Sequence, residues 1–120
     1  MFNCNMKKEL LKKADTVFAR FIRMRDEGIC PLCHCREVEV CGHIFFRAKY
    51  GTRLDPMNAW GICSQCNGEM EADHDVWLQF KDWFIRTNSQ TEWDSLEHRS
   101  NRSDPLTIKE LEEAIERFTI

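Results

Sequence analysis

No stretch of this chain approaches the roughly 20 consecutive apolar residues that a membrane-crossing helix needs, so the sequence predicts a soluble protein without a membrane partner. The sequence also predicts no secretory leader, since Met1-Phe-Asn-Cys-Asn5 runs into a Lys-rich stretch with no apolar centre. That absence decides how the seven cysteines are read. In a secreted chain they would suggest a disulfide framework; here they predict metal ligation in a reducing cytoplasm. A net positive charge is also lacking: 17 Lys and Arg against 20 Asp and Glu leave −3, which argues against a general DNA-coating protein. There is no repeat, low-complexity tract or sign of a second domain. The 120 residues therefore predict one domain, small enough to gain useful stability from a bound metal.

Charge is unevenly placed. Residues 1–26 hold seven Lys or Arg against three acids, whereas residues 69–98 hold eight acids against two bases. A basic side and an acidic side suit a protein that meets phosphate on one face, although solvated helix faces produce the same counts. Arg47, Lys49 and Arg53 form a second basic cluster with no intervening acid.

The strongest motif is a pair of CxxC turns, Cys30 to Cys33 and Cys63 to Cys66. Four thiolates in two such pairs suit one tetrahedral structural zinc at about 2.3 Å per sulfur. Cys35, Cys41 and His34 lie near enough to compete as ligands, but the two regular turns are the simpler set, and Cys4 reads as a free thiol. Between and just beyond these turns stand His43, Asn58 and Asn67, spaced H-x14-N-x8-N.

With this spacing the chain resembles the HNH, or His-Me finger, endonucleases over about Cys30 to Arg86. The runs Cys41-Gly-His-Ile-Phe-Phe-Arg47, Arg53-Leu-Asp-Pro-Met-Asn58 and Cys63-Ser-Gln-Cys-Asn67 look most like the lambdoid phage NinG (Rap) recombination nucleases. The resemblance implies a zinc-stapled ββα-metal core over residues 30–86, and with the basic N-terminal helix over 5–26 and the helical C-terminal extension over 89–120 that periodicity and capping signals predict, the fold class is α+β. The resemblance also implies a metal-dependent DNA endonuclease that leaves 3′-hydroxyl and 5′-phosphate ends, with branched or recombination DNA as substrate. Its location would be cytoplasmic, in the host if phage-encoded.

Each residue then has an expected role beside a plainer one. His43 would be the general base, because neutral imidazole can accept a proton near physiological pH; a lone histidine is otherwise a structural residue or a spare zinc ligand. Asn58 would brace the loop and help orient His43, where an Asn before a turn is ordinarily turn chemistry. Asn67 would ligate a catalytic Mg²⁺ or Mn²⁺ through its amide oxygen, or serve merely as a helix cap. Glu71 and His74, read as lying on the same helix face as Asn67, would supplement it. Arg47 would grip the scissile phosphate, and Lys49 and Arg53 would meet flanking phosphates unless Arg53 pairs with Asp55. Gly42 departs from the pattern, since many HNH proteins carry a metal-binding Asp there. A catalytically silent zinc module that binds DNA or a protein stays open on that account, as does a protein whose four Trp form an interaction surface.

Periodicity supplies the elements. Leu10, Leu11, Ala14, Val17, Phe18, Phe21 and Ile22 predict an amphipathic helix over 5–26, ended by Gly28. Glu37-Val-Glu-Val-Cys41 predicts a strand whose partner is the stretch from His43 to Arg47. A helix should leave the second CxxC turn, burying Val76, Trp77, Phe80, Trp83 and Phe84. Ser89-x-x-Glu92 and Thr107-x-x-Glu110 predict helix starts for segments near 90–98 and 107–118.

Overall fold

The structure, a computed structural model, describes the backbone from Phe2 to Ile120 and side chains from Asn5 onward. The Cys4 thiol lies outside the described residues. Five helices and one two-stranded sheet follow in the order α1 (Phe2–Arg25), β1 (Val40–His43), β2 (Ala59–Ile62), α2 (Ser64–Ala72), α3 (His74–Thr87), α4 (Gln90–Ser100) and α5 (Ile108–Phe118). This is an α+β fold. None of the described helices is long and apolar enough to cross a membrane.

Helix α1 buries Ala14, Phe18 and Ile22, the centre of its expected stripe, and packs on both strands and on α5. Phe18 meets Phe118 edge-on at 4.9 Å. Gly28 then turns the chain with φ +125°, a conformation that L side chains rarely adopt.

The strands pair antiparallel, with Val40 opposite Ile62, Cys41 opposite Gly61, Gly42 opposite Trp60 and His43 opposite Ala59. Side chains alternate between the faces of a strand, so Cys41 and His43 point to the α1 side while Gly42 points toward α2. This corrects the expected hairpin. The 37–41 stretch is divided: Glu37 bridges Ile29 beside the first CxxC turn, and the Glu39 amide donates to the Ile62 carbonyl. Residues 43–47 supply no partner strand, because from Ile44 onward the chain turns into a loop that ends only at Asn58.

That loop is a succession of tight turns in which the amides of Lys49, Thr52, Asp55 and Asn58 each donate to the carbonyl three residues earlier. Its far side rests on the end of α4, where the Arg99 guanidinium reaches Asp55 at 2.7 Å. Gly51 fits against the Arg99 carbonyl, in a space too small for any Cβ.

The expected helix after the second CxxC turn is two helices. Asp73 breaks it: its extended backbone ends α2, its amide donating to the Glu69 carbonyl, and its carboxylate accepts from the Asp75 amide to start α3. Both later helix starts occur as expected, but they differ. Ser89 caps α4 through its hydroxyl, whereas Thr107 and Glu110 form a reciprocal box on α5. Arg102 adds two bonds to Glu110, at 2.6 and 2.7 Å, and with Thr107 holds its carboxyl down at about 2.

The main core joins Ile44, Ile62, Met70, Phe80, Phe84, Trp93 and Leu96 to three of the cysteines. Trp93 is fully buried, and Trp60, Trp77 and Trp83 are half-buried against that core, so the four indoles are core and rim rather than an exposed aromatic surface.

Two glycines separate space from propensity. Gly51→Ala should cost about 2 kcal/mol or more, because the methyl meets backbone that must move. Gly68→Ala, in α2 with open space around the position, should gain about 0.5–1 kcal/mol from helix propensity alone. Urea unfolding of both variants reads the difference.

Candidate metal centre and adjoining cleft

The sulfurs of Cys30, Cys33, Cys63 and Cys66 lie within 4.8 Å of one another, an arrangement that can hold a metal ion such as zinc. Cys33 and Cys63, from different turns, stand 3.8 Å apart, the edge of a tetrahedron whose centre lies about 2.3 Å from each sulfur. Local structure makes this arrangement. The Cys30 carbonyl accepts from His34, whose φ of +57° turns the chain tightly, and the Cys30 amide donates to Arg36 at 2.7 Å. In the second turn Cys63 is the N-cap of α2, its sulfur accepting from the Cys66 amide at 3.3 Å.

The electrostatics suit bound thiolates. Backbone amides of Cys35 and Arg36 bring the Cys33 thiol down to about 6. Burial pushes Cys66 the opposite way, so four thiolates gathered here call for a cation among them. The Arg36 guanidinium is raised above its ordinary value: desolvation pulls it down, but contacts with Cys63 and Cys33 outweigh that. Sequence reading missed Arg36, since nothing in its spacing marks it. Cys35 is exposed and Cys41 lies on β1, its thiol pushed up to about 12 by burial. Neither joins the cluster, and nor does His34.

At the edge of the sheet a cleft of about 390 Å³ runs along β1 between α1 and α2. Asp15, Ala19 and Arg23 of α1 form one wall, Asn67 and Glu71 of α2 the other, with His43, Phe46 and Arg47 between them. The His43 Nε2 lies 2.9 Å from the Arg53 carbonyl. A carbonyl oxygen only accepts, so Nε2 carries the ring proton and Nδ1 keeps its lone pair. Burial lowers the His43 pKa below the ordinary histidine value, and the Arg47 and Arg53 charges lower it further, while the Arg53 carbonyl and Asp15 act against them.

Asn58 braces the loop rather than the ring. Its fully buried amide donates to the carbonyls of Phe45 and Thr52 and accepts from the Phe45 amide, all within 2.9 Å. It therefore holds the neighbour of Arg53, while Arg53 itself holds His43. The Arg53 guanidinium is not free for flanking phosphates and does not pair with Asp55. It clasps Asp15 at 2.6 and 3.1 Å and donates to the Arg47 carbonyl. Arg47 is 61% exposed, its guanidinium 3.7 Å from Asp15, and Lys49 is exposed on the same loop.

Asn67 sits in the first turn of α2, where its Oδ1 would lie 3.1 Å from a Cβ at Gly42. The amide thus occupies the space in which a longer residue before His43 would stand. Glu71, one turn on, shares the cleft. His74 does not: the break at Asp73 puts it on α3, where its ring stacks on Trp77 at 5.4 Å. Asp15 and Arg23 were missed from sequence. Their four-residue relation through Ala19 marks one helix flank, but no local signal says that this flank meets the cleft.

No family model, curated protein or solved structure matches the chain.

If the four sulfurs hold one structural ion, metal analysis should find about one tightly held zinc per chain, and Cys63→Ser should lose it together with cooperative unfolding. Two stoichiometric zincs would bring Cys35, Cys41 or His34 back as ligands.

Proposed function

We propose that this protein is a metal-dependent DNA endonuclease of the HNH type, with His43 as general base. The observation that carries this reading is the His43 ring itself, half-buried at a cleft with Nε2 fixed on a backbone carbonyl and Nδ1 left as acceptor. A structural histidine would ordinarily satisfy both nitrogens or lie on the surface. The order of parts agrees with the resemblance: a strand ending at His43, a looped connection braced by Asn58, a second strand, and a helix presenting Asn67.

In this reaction His43 Nδ1 takes a proton from water as the water oxygen bonds to phosphorus. The bond from phosphorus to the 3′ oxygen breaks, and that oxygen gains a proton, leaving a 3′-hydroxyl and a 5′-phosphate. Arg47 reaches the phosphate from the open side of the cleft, where its exposed fork can bind two oxygens. Asn67 and Glu71 would hold a Mg²⁺ or Mn²⁺ ion, oxygen donors on adjacent turns of α2 being suited to a hard cation. When bound, such an ion would stabilise negative charge on the departing oxygen. The four-thiolate cluster, holding zinc, would be structural. Branched or recombination DNA remains the substrate implied by the resemblance.

The test is nicking of supercoiled plasmid with Mg²⁺, Mn²⁺ or EDTA, followed by duplex, flap and four-way junction substrates. His43→Ala should keep fold and zinc but lose roughly 100-fold or more in rate, the usual scale for a positioned base. Arg47→Ala should slow cleavage more than it weakens DNA binding. No metal-dependent cleavage of any substrate would leave a silent zinc-binding module as the better reading, consistent with the missing acid at Gly42.

The pH profile follows from the environment of His43. A base works when deprotonated, and burial lowers the pKa, so protonation should inhibit only below the ordinary histidine range. The cleavage rate should rise with pH on the acid side of that range and be level by neutral pH. This corrects the rise through neutrality that an unperturbed histidine would give.

A further inference from the structure

Helix α1 carries exposed cations on the flank that enters the cleft, beyond those the cleft itself uses. Lys8, Lys12, Asp15, Ala19 and Arg23 recur at intervals of four, three, four and four residues, which sets them on one flank of the helix. The last three line the cleft, and Lys8 lines a hollow farther along with Tyr50 and Arg53. The flank therefore starts at His43 and runs away from it along α1. Asp15, its one acid, is already answered by Arg53 at 2.6 Å and Arg47 at 3.7 Å. Lys8, Lys12 and Arg23 are exposed, and among the described residues none forms an ion pair. Arg25, by contrast, is spent on Asp26 and on the carbonyls of Pro56 and Ala59.

We propose that this flank is a phosphate track that holds the duplex arm beside the scissile phosphate. The inference rests on the nuclease reading and adds to it a surface and the form of nucleic acid that the surface takes. From Lys8 to Arg23 the helix rises about 22 Å, which spans about six base pairs at 3.4 Å each. With neither Gly nor Pro between Phe2 and Arg25, α1 presents the charges on a continuous helix. Here the cations are unpaired and continuous with the cleft, and their opposite flank is closed by the core.

The test compares two double variants of equal charge change, measured by anisotropy on labelled duplexes over a range of salt. Lys8→Gln with Lys12→Gln removes the track; Lys13→Gln with Arg20→Gln removes two exposed cations from another flank of α1. All four positions are exposed, and thermal melting verifies that both variants fold. The track variant should lower the salt slope of binding by about two and weaken binding about fivefold to tenfold, while the other variant stays within about twofold of wild type. The loss should appear on a duplex of about 20 base pairs, long enough to cover the track and the cleft together. Cleavage by wild type with equal losses in both variants would overturn the track and leave the nuclease reading standing. Wild type that neither binds nor cuts DNA would overturn both.

Discussion

A single buried amide organises the chain around His43. Asn58 makes three hydrogen bonds with no solvent exposure, two to the backbone of Phe45 and one to the Thr52 carbonyl, which also accepts from the Asp55 amide. An unmet buried donor or acceptor costs about 1–3 kcal/mol, so the amide effectively dictates the path of residues 44–58. That path places the Arg53 carbonyl over His43 Nε2 and brings the Arg53 guanidinium to Asp15 on α1. The state of one imidazole is thereby set by a loop closed from both ends.

The four-cysteine cluster supplies the other half of the geometry. Because Cys63 both belongs to the cluster and caps α2, the position of that helix is tied to the arm carrying Cys30 and Cys33. Asn67 follows one residue after Cys66, so it is set against Gly42 by the same tie. One face of the small sheet thus meets the helix that carries two of the four clustered cysteines, and the other packs on α1. The cleft lies at the strand edge where the two supports meet, and its charge is shared by a paired Asp15, an open Arg47 and an unpaired Arg23.

Much of this was legible in the sequence, for identifiable reasons. The CxxC turns are local motifs with one sensible chemistry, and α1 announces itself through a stripe whose centre, Ala14, Phe18 and Ile22, is buried as expected. Thr107 and Glu110 reveal a helix start because the capping box needs only four adjacent residues. What failed was non-local. Alternation over 37–41 showed extended chain but could not say that its partner lay beyond a long loop. A continuous helix past Asn67 looked reasonable because Asp73 is tolerable within a helix, yet here it caps the next one and carries His74 away. The partners of His43 and Arg53 were invisible, one being a backbone carbonyl and the other an acid 38 residues distant.

The central claim is that the fold holds His43 as a neutral base with its free nitrogen at Nδ1. Long-range proton–nitrogen correlation spectra of imidazole-labelled protein at neutral pH measure this directly. The Nε2–H tautomer is expected, with Nδ1 showing the shift of an unprotonated nitrogen and the ring titrating below the ordinary histidine value because it is buried. A ring protonated on Nδ1, or an imidazolium at neutral pH, would contradict it.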